Sequence, residues 1–254
     1  MIDTHCHLDT AAFADDVDAV IARATRAGVV GMVVPAIRPR TWPALRALAE
    51  RQAAAGVVHA VGVHPQIVED LASDELADLE DRLLDAGRDA VAIGECGLDR
   101  GCGAYDEQQR IFRIHVRVAR TLGKPLVIHV LRAHDDAPRI LKEERCAGGV
   151  LHSYSGGADL VPVYRELGLA FSFAGPVTYA NARRPVEAAR AVPAELLLAE
   201  TDAPDQAPAA HRGSRSEPAF VADVIAGLAR ARGIAVDEAA ALTTANARRV
   251  FGCW

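Results

Sequence analysis

The chain has 254 residues, half of them hydrophobic and 24 % charged, which suits one large buried core and excludes a disordered chain. A formal net charge of −6 argues against a broad basic surface for gripping nucleic acid, although a local Arg-lined groove beside bound cations stays open. No apolar run approaches the length of a membrane span, and an odd number of cysteines, five, without a CxxC spacing fits a reducing compartment better than a disulfide scaffold.

Short apolar, β-branched runs alternate with Ala/Leu/Arg stretches of helical spacing from one end to the other. The runs predict strands over residues 2–7, 31–37, 57–64, 91–97, 125–130, 149–153, 169–174 and 196–201. After the fourth, Ile111, His115, Val118 and Leu122 recur at helical spacing. After the eighth, Phe220, Val221, Val224, Ile225 and Leu228 form the doubled apolar stripe of a core-facing helix. Strict alternation of β and α implies a parallel sheet with helical crossovers. Eight repeats at this length predict a closed (β/α)8 TIM barrel as a single domain over residues 1–254, with a doubly wound open sheet as the alternative. The Pro/Ala-rich stretch 203–210 reads as a long loop after the eighth strand.

Metal-competent side chains fall at the C-terminal ends of those strands, where TIM barrels build their sites. His5 and His7 end the first, Glu95 the fourth, His129 the fifth, His152 lies near the end of the sixth, and Asp202 follows the eighth. A lone His at a strand end is more often a packing residue than a ligand, but residues two apart on a strand share a face. His5 and His7 can therefore converge on one ion while Cys6 turns away, and Asp3 sits deeper. Cys96, next to Glu95, is likewise read as a buried small residue. Four imidazoles and two carboxylates suffice for two cations with positions left for water, and Glu95 can bridge them through its two oxygens. A leader cleaved from the N-terminus would remove His5 and His7, so the cytoplasm is the expected location.

In chain order, residues 1–9 (MIDTHCHLD), 62–65 (GVHP), 94–99 (GECGLD), 127–129, 152–156 (HSYSG), 200–204 (ETDAP), 211–218 (HRGSRSEP) and 244–252 (TANARRVFG) span nearly the whole chain. Together they resemble the TatD family of metal-dependent deoxyribonucleases. The resemblance implies a two-metal site in which His5, His7 and Asp202 hold one divalent ion, His129 and His152 hold the other, and Glu95 bridges both. Magnesium is the usual ion in the family, although imidazole-rich ligation suits zinc or manganese equally well. It further implies hydrolysis of DNA, as a 3′-5′ exonuclease on single-stranded ends and in some members on RNA, through a metal-activated water whose proton Asp202 takes. His64 would face the substrate.

Several positions depart from the family pattern. Gln66 stands where a second His usually follows GVHP, Leu131 where an Arg usually follows His129, Asp205 where a bulky residue follows ETDAP, and Ser216 where Asn often precedes Glu217. In the loop after the eighth strand, His211, Arg212 and Arg215 are expected to grip phosphates, with Arg183 and Arg184 after the seventh as further candidates. Glu217 reads as a brace for the helix that follows, and His134 and Asp135 as solvated surface. Aromatic residues make up only 5 % of the chain, so a short stretch held through its phosphate is expected rather than a long stacked strand. A metal-dependent amidohydrolase or lactonase acting on a small molecule is the alternative enzyme, disfavoured because no Lys occupies a ligand position. A non-catalytic binding subunit of a multi-protein system is the third reading, disfavoured because no ligand is lost. The sequence points to no protein partner.

Overall fold

The computed structural model describes residues 1–254, the side chain of Ser73 excepted. Among the described residues, eight strands form one parallel sheet in chain order: β1 (Ile2–Asp3), β2 (Gly31–Pro35), β3 (Val57–Val61), β4 (Ala92–Asp99), β5 (Leu126–Leu131), β6 (Gly149–Leu151), β7 (Leu169–Phe173) and β8 (Leu197–Ala199). Between them run α1 (Val17–Arg26), α2 (Trp42–Arg51), the short α3 (Ser73–Leu76), α4 (Leu79–Ala86), α5 (Tyr105–Leu122), α6 (Asp136–Glu143), α7 (Val161–Glu166) and α8 (Arg183–Ala191). Two helices, α9 (Val221–Arg232) and α10 (Val236–Phe251), follow the last strand. The first and last strands meet just past their ends. Thr4 N–H donates to the Ala199 carbonyl (3.2 Å), Asp202 N–H to that of His5 (2.9 Å) and His7 N–H to that of Ala203 (2.7 Å). The sheet thereby closes into a (β/α)8 barrel rather than an open doubly wound sheet.

Two layers of apolar packing hold it. Inside the barrel, residues such as Val33, Ala60, Val127, Val150 and Leu198 pack together, and Ala247 and Phe251 of α10 join the same cluster. Outside, the strands pack on the helices. Helix α5 buries Ile111, Phe112, His115 and Val118 on one face and ends at Gly123 in the left-handed conformation (φ 65°). Its His115 is a tie between layers. Nδ1 donates to the Ile111 carbonyl (2.8 Å) and Nε2 accepts from Val63 N–H (3.0 Å), which fixes the chain one residue before His64.

Most strands are shorter than the apolar runs suggest. The first apolar run extends to residue 7 and the eighth to residue 201, yet β1 stops at Asp3 and β8 at Ala199. Beyond those points the backbones bend toward the mouth and exchange single bonds instead of a ladder. In β4 the pairing with β5 slips by one residue between Ile93 and Cys96, a bulge that re-aims Glu95.

Gly97 adopts φ +136°, and a Cβ there would lie 2.0 Å from the His129 carbonyl oxygen. Gly97→Ala is therefore expected to cost about 3 kcal/mol in urea unfolding, combining backbone strain with a clash in the strand pair that carries Glu95 and His129. An unchanged unfolding midpoint would contradict this packing.

Candidate metal centre

Glu95 sits on the bulge of β4 with its side chain fully buried. Its two oxygens face different groups of imidazoles. Oε2 lies 3.1 Å from His5 Nε2 and 3.4 Å from His7 Nε2. Oε1 lies 2.8 Å from His152 Nε2, 3.3 Å from His129 Nδ1 and 2.9 Å from His64 Nε2. Asp202, in left-handed backbone just beyond β8 (φ 53°), places Oδ1 3.7 Å from both His5 Nε2 and His7 Nε2. All six residues predicted as ligands thus converge at the C-terminal mouth.

Three imidazoles are oriented from behind. His7 Nδ1 donates to the Pro35 carbonyl (3.3 Å), His129 Nε2 to Asp99 Oδ2 (3.3 Å), and His152 Nδ1 lies 3.4 Å from Glu200 Oε1. An acceptor at one ring nitrogen holds the proton there and turns the other nitrogen's lone pair inward, the arrangement used by metal-binding histidines. His64 is set the other way. Its Nδ1 accepts from Gln66 N–H (3.1 Å), so in the neutral ring the proton is on Nε2, the nitrogen facing Glu95.

The donor set fits divalent cations. Both Glu95 oxygens are buried, and among the described residues only imidazole nitrogens face them. His5 Nε2 and His7 Nε2 are 3.1 Å apart, and His129 Nδ1 and His152 Nε2 are 3.0 Å apart. Two inward lone pairs at such distances repel unless positive charge lies between them. At the His129–His152 pair, protons supply that charge in the protein alone. Burial works against protonating His152, but Glu95 and Glu200 beside it raise its pKa well above the usual imidazole value. His129 is likewise raised, its burial outweighed by Asp99 and Glu95. For Glu95 burial alone would raise the pKa, and the surrounding imidazoles, His152 first, hold it well below the usual range. Burial pushes Asp202 up to about 6.

This His/Glu/Asp cluster opens into a cavity of about 570 Å³. His64, Gln66 and Ser153 line it with the apolar Ile37, Ile67, Val130 and Leu131, while Asp205 and Gln206 stand on the β8 side. Of the residues expected to grip phosphate, only His64 lies there. Arg215 is instead bound to Asp16 (2.8 Å) and Glu217 (2.9 Å), and Glu217 also receives Arg23 (2.8 Å), so these charges strap the long loop to α1. His211 stacks on Phe220 (3.6 Å between ring centres) and approaches Asp223 (3.2 Å). Both arrangements have one cause: a long loop needs internal partners, and these side chains provide them. Arg212 lies over the Tyr179 ring (4.6 Å) and stays exposed, and Arg183 and Arg184 begin α8 as exposed residues. His134 is not solvated surface. It is half-buried, with Nδ1 2.8 Å from the Tyr164 hydroxyl. Cys6 and Cys96 are buried, as expected, with their thiols on the carbonyls of Val33 and Val127.

Sequence reasoning missed the outer carboxylates, Asp99 and Glu200. Both lie inside motifs already singled out, GECGLD and ETDAP, and a search for an acid able to orient each His would have found them.

The profile of the family described as TatD related DNase matches residues 2–252. The chain belongs to the TatD-related DNase family. The metal-dependent hydrolase YcfH of Escherichia coli strain K12 is 38 % identical over 260 residues, covering 99 % of this chain and 95 % of its own. A protein of Pantoea ananatis named 3′-5′ ssDNA/RNA exonuclease TatD is 32 % identical over 263 residues, covering 99 % of each. The crystal structure of YJJV, a TatD homologue from Escherichia coli K12, superposes with a TM-score of 0.91 at 31 % identity, covering 100 % of this chain and 98 % of that one. As a TatD-family protein, the chain is a metal-dependent hydrolase by family, with buried His, Glu and Asp groups able to hold metal.

Because protonated His129 and His152 must give up protons to bind a cation, uptake of Mn2+ or Zn2+ by EDTA-stripped protein should release protons near neutral pH and tighten as pH rises. Calorimetry in two buffers of different ionisation enthalpy measures this. Uptake without proton release between pH 6 and 7.5 would contradict the assignment.

Proposed function

We propose that this protein hydrolyses phosphodiester bonds at the ends of single-stranded DNA in the 3′-5′ direction, with two divalent cations (Mg2+, Mn2+ or Zn2+). The observation that carries the reading is the division of Glu95, one oxygen toward His5 and His7 and the other toward His129 and His152. His5, His7 and Asp202 would hold one ion and His129 and His152 the other, with Glu95 between them. When bound, such a pair activates water and neutralises charge on the phosphoryl group. His64 lines the cavity and would turn its Nε2–H from Glu95 Oε1 (2.9 Å) to a non-bridging phosphate oxygen, a donor that strengthens as charge grows there. Asp202, whose Oδ2 is engaged by the Gln206 amide, would take the proton of the attacking water on the free lone pair of Oδ1 and pass it on to the departing 3′-oxygen. The relative named as a 3′-5′ ssDNA/RNA exonuclease supports this substrate class, and RNA ends are a second substrate of the same kind. Arg212, exposed over the Tyr179 ring, has no acidic partner among the ion pairs of the described residues and is free to meet a phosphate. Among the described residues no helix is long and apolar enough to cross a membrane, and all five cysteines are free, which supports action in the cytoplasm.

One observation favours a second reading. No Lys or Arg is among the residues lining the cavity, and Asp205 adds negative charge to its wall. A small neutral ester, lactone or amide suits that wall better than a run of phosphates does. The same cations would then polarise a carbonyl. The intact ligand set argues against a purely non-catalytic subunit.

End-labelled single-stranded DNA should shorten stepwise from its 3′ end in the presence of Mg2+, Mn2+ or Zn2+, and EDTA should stop it. Turnover of lactones or amides with no DNA cleavage under any metal would transfer the assignment to the second reading. Glu95→Ala should abolish cleavage and lower bound metal together, whereas His64→Ala should lower kcat by about 100-fold, the loss of one preorganised donor, with metal content unchanged. Metal loss in His64→Ala would make it a ligand instead.

A further inference from the structure

Asp202 has two oxygens, and only Oδ1 faces His5 and His7. The other, Oδ2, accepts a short hydrogen bond from the side-chain amide of Gln206. A carboxylate oxygen accepts only, so the amide must present its nitrogen there. That amide is itself held: its group lies on the Ser153 hydroxyl at 2.8–2.9 Å, and Ser153 N–H donates to Glu200 Oε1 (2.5 Å), the same carboxylate that stands behind His152. Gln206, Asp202 and Ser153 all adopt left-handed backbone (φ 50°, 53° and 39°). Non-glycine residues hold that conformation only where surrounding contacts over-determine it. At Gly175 a Cβ would lie 1.9 Å from the Gln206 carbonyl oxygen, so the β7 loop packs directly on this backbone.

From this geometry we infer that Gln206 is a positioning residue for the cation held by His5, His7 and Asp202. Its amide occupies Oδ2, so Asp202 offers that cation one oxygen rather than two. Through Ser153 and Glu200 the same amide is connected to the orientation of His152, on the other side of Glu95. The inference rests on the metal-centre reading above. It differs from a substrate contact, although Gln206 lines the cavity, because its polar side-chain atoms are already engaged with protein.

The test is calorimetric titration of EDTA-stripped full-length protein with Mn2+, comparing wild type with Gln206→Leu. Loss of an outer partner of a ligand is expected to weaken one Mn2+ affinity by 10- to 100-fold and leave the other within about threefold. Cleavage by the variant should recover as Mn2+ is raised, with KM for DNA unchanged. Recovery by metal is something that a merely structural role would not give. Unchanged affinities overturn the inference, as does a raised KM with unchanged affinities, which would make Gln206 a substrate contact. If Gln206→Leu does not fold, Ser153→Ala removes the anchor of the amide and should weaken the same affinity in the same direction; no change overturns it. Wild type that takes up a single ion would overturn the two-cation reading instead, and the Gln206 inference is then decided by whether that one affinity falls in the variant.

Discussion

A fully buried carboxylate faced by imidazoles alone is the constraint around which this molecule is arranged. Left alone in a low-dielectric interior, Glu95 would protonate or disrupt the packing around it. What offsets that cost is positive charge on both sides, and the barrel surrounds Glu95 with five imidazoles for the purpose. The inward lone pairs of His5, His7, His129 and His152 would repel one another if the centre held no cation or proton. Carboxylate and imidazoles therefore need the same thing. Divalent cations would satisfy both at once, which would link the electrostatics of the site to its chemistry.

The fold delivers these groups by ending strands early. A continuous parallel ladder through residue 7 or residue 201 would spend the backbone bonds on pairing and fix each side chain to one face. Instead β1 and β8 stop, exchange single hydrogen bonds across the seam, and let His5, His7 and Asp202 turn toward the mouth. On the far side the bulge at Gly94–Glu95 moves one carboxylate out of register with β5, so Glu95 and His129 meet although they lie on neighbouring strands. Behind the ligands, Asp99, Glu200 and the Pro35 carbonyl fix the rings, and Gln206 fixes Asp202. The orientation of these side chains thus depends on polar contacts at the ends of three strands, β2, β4 and β8.

Much of this was legible from sequence because it is local. Alternating runs specify the strands, and chemistry-bearing residues at strand ends specify which mouth is active. The pair His5/His7 carries its own geometric argument at spacing two. What was not legible depends on partners distant in the chain. Arg215 resembles a phosphate grip until Asp16, some 200 residues away, is seen to hold it. His134 reads as surface because nothing nearby in sequence shows Tyr164 beside it. Gln66 looked like the loss of an imidazole, whereas its amide donates to Asp99 (2.8 Å) and so supports His129. Strand ends and the bulge were also hidden, since apolar patterning continues through residues that have already left the ladder.

Diffraction from crystals soaked in Mn2+, collected at a wavelength where manganese scatters anomalously, tests the central claim most directly. Two peaks should appear about 3.5–4 Å apart, the spacing of two-metal hydrolytic sites. One should touch His5, His7 and Asp202, the other His129 and His152, with a different oxygen of Glu95 on each. A single peak, or two peaks of which only one touches Glu95, would contradict the account.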